Sequence, residues 1–265
     1  MTGGTTEGGA EGGAEGRADE GTTDGDVAAS LGRVRADIER FAARHGRDAG
    51  SVTLLAVSKT KPVAAIAAAI AAGQRAFGEN YVDEAIGKID ALGRRAATHD
   101  PAAGDAPIEW HFVGSIQSRR CAAIAERFDW AHGVDREKVA RRLSERRPEG
   151  MAPLDICLQL DIDGEDSKGG VRPDGLEALA ERCAELPGLR LRGLMAIPAP
   201  RDTLDAQRRA FAEVRERFEA LRARGHADMD TLSMGMSGDL EAAIAEGATI
   251  VRVGTAVFGA RAPRG

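Results

Sequence analysis

Residues 52–62 read Val-Thr-Leu-Leu-Ala-Val-Ser-Lys-Thr-Lys-Pro, an apolar run that ends in Ser58, Lys59 and, after two more residues, Pro62. Its short length, its β-branched residues and the bounding proline are typical of a buried strand. Lys59 therefore stands at a strand end, where its side chain either points into the protein or snorkels to solvent. Burying an ammonium group is costly and favours the neutral amine. A neutral amine is the form that makes a Schiff base with an aldehyde.

Strand and helix patterns alternate along the rest of the chain, after a first helix predicted over 27–45. Besides the strand at 52–58, seven more are predicted, at 75–78, 109–113, 130–134, 154–162, 189–197, 231–234 and 250–253. Eight such units with short connections predict an α/β fold, a single (β/α)8 barrel of the TIM type. A doubly wound open sheet is the alternative, but no Gly-x-Gly-x-x-Gly follows the first strand,.

The first 26 residues differ in composition from the rest of this 265-residue chain. They hold seven acidic side chains and one basic one, and they account for the whole net charge of −6. Because they contain almost no large apolar residue, we expect a disordered acidic tail at 1–26, followed by one barrel domain at 27–265. The electroneutral remainder lacks the basic surface of a nucleic-acid-binding protein. Residues 93–107 are predicted to form a surface loop.

The chain carries no signal for export, membrane insertion or metal binding. Three widely separated cysteines indicate a reducing compartment,, and neither a secretory signal nor a membrane-length apolar run is present. We therefore expect a cytoplasmic protein. The acidic stretch at 161–166 misses the EF-hand spacing and is interpreted as a solvated loop. The five histidines show no metal-ligand spacing.

The C-terminal ends of the strands, where a TIM-type barrel carries its site, are rich in glycine and polar residues. Ser237 precedes a helix, so it either helps to bind phosphate at the helix N-terminus or is a plain N-cap. Gly254 and Thr255 follow the last strand, and such barrels often bind phosphate after strands seven and eight. Their joint position favours a phosphate site.

Arg252 lies inside the apolar strand at 250–253. A charge in that position needs a partner, a ligand or an exposed face. If a pyridine ring occupied the barrel mouth, a permanent cation facing its nitrogen would disfavour protonation. Such a ring would be a weak electron sink, which argues against demanding carbanion chemistry.

Six motifs occur in order over about residues 27–261. They are Leu-Leu-Ala-Val-Ser-Lys-Thr-Lys-Pro at 54–62, Phe-Gly-Glu-Asn-Tyr-Val at 77–82, Trp-His-Phe-Val-Gly at 110–114, Gly-Leu-Met-Ala-Ile at 193–197, Leu-Ser-Met-Gly-Met-Ser at 232–237 and Val-Arg-Val-Gly-Thr-Ala-Val-Phe-Gly at 251–259. Together they closely resemble the YggS/PROSC family of pyridoxal phosphate homeostasis proteins.

The resemblance implies a barrel like the N-terminal domain of alanine racemase, with pyridoxal 5′-phosphate (PLP) held as a Schiff base on Lys59. It implies that Asn80 and Met236 flank the ring. It also implies that Ser237 and Thr255 lie near the phosphate and that Arg252 faces the pyridine nitrogen. Lys168 becomes a peripheral contact on the same ground.

Two features fall outside these assignments. Where the family usually continues Gly-x-Leu-Gln-x-Asn-Lys, this chain has Gly-Ser-Ile-Gln-Ser-Arg-Arg at 114–120. Arg120 therefore offers no nucleophilic amine at the last of these positions. His111 is either a peripheral general acid or a packing histidine, and packing is the interpretation we favour.

The sequence thus predicts a PLP-binding protein that buffers and delivers the cofactor without dedicated catalysis. The alternatives are a PLP-dependent amino-acid racemase of low activity and an unrelated phosphate-binding barrel enzyme. Two-base racemisation needs a proton carrier on each face of the substrate. Alanine racemase takes its second base, a tyrosine, from a partner's second domain, whereas the one tyrosine of this sequence is Tyr81 and we expect no such domain after Gly265. We expect a monomer with transient contacts to PLP-dependent apoenzymes, and neither nucleic acid nor membrane as a partner.

Overall fold

The computed structural model describes residues 24–92, 107–165 and 169–260. Within these ranges eight parallel strands close into a barrel in chain order. They are β1 (Thr53–Val57), β2 (Ala76–Glu79), β3 (Glu109–Phe112), β4 (Trp130–Val134), β5 (Leu154–Leu160), β6 (Leu189–Ala196), β7 (Thr231–Ser233) and β8 (Ile250–Val253). The closing pair is β1 with β8, in a register that sets Leu55 beside Arg252. The predicted barrel is confirmed.

Helices surround this barrel in the described part of the chain. They are α1 (Asp24–Arg44), α2 (Val63–Ala71), α3 (Val82–Leu92), α4 (Cys121–Arg127), α5 (Glu137–Glu145), α6 (Leu176–Ala184), α7 (Leu204–Ala223), α8 (Leu240–Ala245) and α9 (Thr255–Phe258). The helix that precedes the barrel, α1, packs against α2, α8 and α9 and so covers the seam between β1 and β8. None of the described helices is both long enough and apolar enough to cross a membrane.

The boundary with the predicted tail differs slightly from the expectation. The first helix begins at Asp24, three residues before the predicted start at Val27. Residues 1–23 of the predicted tail lie outside the described residues, and so do residues 93–106 of the predicted loop.

The main apolar core lies between the outer face of the barrel and the helices. Alternate residues of each strand point into the barrel instead, where two small apolar clusters form. One cluster is Leu55, Ala76, Val113 and Ile250, and the other is Trp130, Cys157 and Met195. The remaining interior is polar, because buried His111, His132, Ser233 and Arg252 occupy it.

Candidate functional site

A cavity of about 370 Å³ opens at the C-terminal ends of the strands. This volume falls within the roughly 300–1,000 Å³ that ligand pockets usually have. The described residues that line it are Val57, Lys59, Lys61, Asn80, Val113, Ile197, Met236, Ser237, Gly238, Arg252, Gly254, Thr255 and Gly259. All seven residues predicted to contact a cofactor are among them. None of these lining residues is acidic, so the cavity suits an anionic ligand.

A larger cavity, of about 540 Å³, opens among residues at the other end of the barrel. There the guanidinium of Arg35 already donates to the carbonyl oxygen of Ala72 at 3.0 Å and to Gln74 Oε1 at 3.3 Å. Barrels of this type carry their sites at the C-terminal ends of the strands. The smaller cavity is therefore the candidate site.

Of the two residues predicted as peripheral contacts, one belongs to the described part of the chain, and it does not line the cavity. His111 is buried in the barrel interior and does not line the cavity. Lys168 lies outside the described residues. Conversely, Lys61 and Ile197 line the cavity although the sequence analysis gave them no role. Both stand just after strand ends, inside quoted motifs, so a systematic reading of every strand end would have included them.

Asn80 is placed by a close approach between the ends of β2 and β3. A Cβ atom at Gly114 would lie 2.6 Å from the carbonyl oxygen of Asn80, so only glycine allows this approach without a shift. The side-chain oxygen of Asn80 is buried and has no hydrogen-bond partner among the described residues. Buried polar atoms are normally hydrogen-bonded, so an unpartnered acceptor on a cavity wall points to a ligand that donates to it.

Arg252 places a buried cation beside the cavity. Its guanidinium donates to the carbonyl and hydroxyl oxygens of Ser233, and to the carbonyl oxygen of Ala196 at 2.9 Å. Burial lowers the pKa of Arg252 to about 10, which still leaves it cationic at neutral pH. These three acceptors are neutral, and the one carboxylate among the charged neighbours that act on its pKa, Asp239, is not a hydrogen-bond partner of the guanidinium. The charge therefore still attracts an anionic or electron-rich ligand.

A hydrogen-bonded chain runs from Arg252 through the barrel interior. The Ser233 hydroxyl that accepts from Arg252 at 2.9 Å also lies 2.8 Å from Nδ1 of His132. The other ring nitrogen of His132 is 2.9 Å from Nδ1 of His111. Burial, with His111 and Arg252 nearby, holds the pKa of His132 well below its ordinary 6.5. The packing interpretation of His111 agrees with this position, and the arrangement holds the Arg252 side chain in place.

Ser237 and Thr255 line the part of the cavity formed after β7 and β8. The N-cap of α8 is Asp239, two residues beyond Ser237, so the plain N-cap interpretation of Ser237 is wrong. Asp239 accepts a hydrogen bond from the Met236 N–H at 2.6 Å, which fixes the loop that carries both Met236 and Ser237. Thr255 is the first residue of α9, directly after Gly254 at its N-cap.

Arg120 and the described part of the acidic stretch, residues 161–165, form hydrogen bonds and ion pairs. Arg120 donates both terminal amino groups to the carboxylate of Asp83, at 2.7 and 2.6 Å. In the acidic stretch, Asp161 accepts from the Gly164 N–H at 2.8 Å and Asp163 pairs with Arg201 at 2.6 Å. Within the described ranges no group of three or more His, Cys, Asp or Glu side chains could hold a metal ion.

Comparison with known proteins gives a consistent result. The sequence model of the alanine racemase N-terminal domain matches residues 29–262. Pyridoxal phosphate homeostasis proteins of Pseudomonas aeruginosa and Escherichia coli are 54% and 49% identical to this chain. Each match covers 89% of this chain, and 96% and 97% of the two relatives. Among solved structures, PipY of Synechococcus elongatus with PLP bound is similar, with a TM-score of 0.74 and 35% identity over 88% of this chain and all of that one.

Proposed function

The chain belongs to the alanine racemase N-terminal domain family and groups there with pyridoxal phosphate homeostasis proteins, and we propose that it binds PLP in the described cavity. Its role is then PLP homeostasis, the buffering and delivery of the cofactor, without dedicated catalysis. The observation that carries the proposal is the composition of the cavity wall. One wall brings together a lysine amine, a buried guanidinium, two hydroxyls and an unpartnered amide oxygen.

The residues present fit each chemical group of PLP. Lys59 supplies the amine that bonds to the aldehyde, held as a Schiff base. Ser237, Thr255 and the small Gly254 suit the phosphate, because they offer hydroxyls and close backbone approach. Arg252 suits the ring nitrogen as a hydrogen-bond donor. The orphaned oxygen of Asn80 has the ring's hydroxyl as a natural donor.

When bound, the cofactor supplies an electrophilic aldehyde and an aromatic ring that can withdraw electrons. The chain's own contribution is to bind and orient it. A cationic Arg252 at the ring nitrogen disfavours protonation there and so weakens electron withdrawal. This arrangement suits storage and release of the aldehyde better than carbanion chemistry.

We further propose that the protein acts as a monomer in the cytoplasm and contacts PLP-dependent apoenzymes only transiently. The composition of the chain supports this setting, because three separated cysteines are typical of a reducing compartment,. The cavity opens at the strand ends, where a recipient protein would have to approach. Sedimentation analysis of the purified protein tests the monomer, and a dimer at micromolar concentration would contradict it.

The decisive experiment is absorbance of the purified protein with PLP, followed by borohydride reduction and peptide mass mapping. We expect a visible band and a reduced adduct on Lys59. Lys59→Ala should abolish both while the barrel stays folded, and it should retain weak binding of phosphate through Ser237 and Thr255.

Lys138→Ala is the matched control, because Lys138 is an exposed lysine on α5, away from the cavity. It should form the adduct as the wild type does. A scatter of adducts over surface lysines, or an unchanged band in Lys59→Ala, would overturn the proposed function.

A further inference from the structure

A buried ammonium lies behind the cavity, between the outer face of the barrel and α3. The Nζ atom of Lys88 lies 2.7 Å from the carbonyl oxygen of Ser58, 2.7 Å from Glu79 Oε1 and 2.5 Å from Glu84 Oε1. Its side chain is 5% exposed. An ammonium has three N–H donors, and three acceptors surround this one. We call Lys88, Ser58, Glu79 and Glu84 the Lys88 clamp.

The clamp acts on both chain neighbours of Lys59. On one side, the carbonyl oxygen of Ser58 accepts a hydrogen bond from Lys88. The hydroxyl of Ser58 donates to Glu79 Oε1 at 2.6 Å. On the other side, the Thr60 N–H donates to Glu84 Oε1 at 2.6 Å. The backbone is therefore tied down immediately before and immediately after Lys59.

Thr60 has a left-handed backbone conformation, with φ of +65°. For a β-branched residue this conformation is strained by about 1–3 kcal/mol. Such strain persists only when surrounding contacts enforce it. The hydrogen bond from Thr60 to Glu84 is a contact of this kind, and Lys88 in turn holds Glu84.

Stability alone is a poor explanation of the clamp. A buried ion pair often contributes no more than well-packed apolar residues of the same volume. Burial raises the pKa of Glu79 although Lys88 and Ser58 oppose the shift. Its second oxygen is buried without a hydrogen-bond partner among the described residues. The buried charges and the unpartnered oxygen destabilise the folded protein. The hydrogen bonds that Lys88, Glu79 and Glu84 make with the loop nevertheless all involve the two neighbours of Lys59.

We propose that Lys88, acting through Glu79 and Glu84, is a positioning residue that holds the Lys59 amine where it meets an aldehyde; this inference rests on the proposed function. In the step concerned, the neutral amine of Lys59 adds to the aldehyde carbon. Loss of one water molecule leaves a C=N bond, and no oxidant or reductant takes part. The clamp contributes orientation, since misplacing a reacting group by about 1 Å costs up to about 100-fold in rate.

The test compares Glu84→Ala with Glu84→Gln, because the Glu84 side chain is 31% exposed and its loss should disturb folding less than the loss of buried Lys88 or Glu79. The amide oxygen of the glutamine still accepts from the Thr60 N–H, whereas alanine does not. We expect Glu84→Ala to form the absorbance band with PLP at least about tenfold more slowly than the wild type, and Glu84→Gln to restore most of the rate. Lys88→Met, which keeps the volume and removes the charge, should also be slow.

Two further readouts and a control variant distinguish an effect on positioning from effects on binding and folding. Every variant should bind pyridoxine 5′-phosphate, which lacks the aldehyde, with an affinity within about twofold of the wild-type value. The reason is that these substitutions leave the cavity itself intact. Asp83→Ala is the control: this neighbour in the first turn of α3 pairs with Arg120, and the variant should form the band at the wild-type rate. Thermal melts establish which variants fold, and the Glu84 pair decides the question if Lys88→Met does not.

Wild-type rates in Glu84→Ala, or an equal loss of affinity for pyridoxine 5′-phosphate, would overturn the positioning role. Failure of the wild type itself to form the adduct on Lys59 would instead overturn the proposed function.

Discussion

The buried side-chain oxygen of Asn80 should have opposite effects on the stability of the unliganded protein and on its affinity for PLP. With no hydrogen-bond partner among the described residues, it costs the unliganded protein about 1–3 kcal/mol. We expect Asn80→Leu, which has a similar volume, to leave the unfolding free energy unchanged or raise it by about 1 kcal/mol. The same change should weaken PLP binding by about tenfold, the value of one lost hydrogen bond.

Chemical denaturation and PLP titration of the same variant measure these two effects. Tyr81→Phe is the control, because Tyr81 is the adjacent residue, is 45% exposed and does not line the cavity. It should change neither quantity. Lower stability together with unchanged PLP affinity in Asn80→Leu would show that the oxygen has a structural role and no ligand.

At the scale of single residues, some positions of the site are predictable from the sequence and others are not. The apolar run before Lys59 and the polar and glycine residues after β7 and β8 pointed to Lys59, Ser237, Gly254 and Thr255 on the cavity wall, whereas Asn80 and Met236 followed only from the family resemblance. Lys88 was not predictable in this way, because a lysine among acidic residues on a helix normally indicates a solvated face. Its acceptors come from the ends of β1 and β2 and from its own helix. These segments come together only in the folded barrel, so no local sequence pattern shows that they are neighbours.

At the scale of elements, the strand predictions succeed because most strands are short, largely apolar segments close to glycine, proline or charged residues. The errors are small: β2 was predicted at 75–78 but runs from Ala76 to Glu79, because its pairing with β3 extends to Glu79. The terminal helix α9 was not predicted, since four residues are too few to show a helical period. Hydrogen bonding to the neighbouring strands decides where a strand ends, and a single sequence does not show which residues pair.

The histidine chain that joins β3, β4 and β7 predicts how stability depends on pH. Unfolded His132 takes up a proton near its ordinary pKa of 6.5, whereas burial keeps the folded residue neutral to much lower pH. Stability from this residue is therefore present above pH 6.5 and lost as the pH falls below it. Between pH 7 and 5 we expect a loss from this source of at most about 2 kcal/mol, the limit for a residue that stays neutral in the folded protein.

His132→Gln keeps a hydrogen-bonding side chain that does not titrate, so this variant should lose less stability on acidification than the wild type, by at most that amount. Urea unfolding of both proteins from pH 9 to 5 measures the difference. The gap between the two curves should be constant above about pH 7.5, which serves as the internal control, and should change below pH 6.5. A constant gap down to pH 5 would contradict a neutral buried His132.

At the scale of the whole molecule, the cavity depends on closure of the barrel. Lys59 follows β1 and Arg252 lies in β8, so the two line the same cavity only because the first and last strands pair. The helix α1 supports this seam through its buried apolar face and through Arg44, which pairs with Glu241 of α8 at 2.7 Å. Arg47, just beyond α1, donates to the carbonyl oxygens of Ile244 and Ala248. These contacts hold α8 at the seam and thus stabilise the closed barrel.

The same whole-molecule arrangement argues against racemase activity. Racemisation needs a proton carrier on each face of the substrate. Of the described residues that line the cavity, only Lys59 and Lys61 are amines, and both belong to the loop after β1. The Lys61 amine donates to the carbonyl oxygen of Ala260 at 2.8 Å, and Tyr81, the chain's one tyrosine, is not on the wall.

We therefore expect the PLP-loaded protein to racemise L-alanine with a kcat well below about 1 s⁻¹, the lower end for ordinary enzymes. Chiral chromatography of the product, with Lys59→Ala as the blank, measures the rate. In deuterium oxide, a protein with one proton carrier exchanges the α-hydrogen while retaining configuration, because the proton returns to the face it left. A rate of 1 s⁻¹ or more that disappears in Lys59→Ala would mean that a second carrier reaches the opposite face.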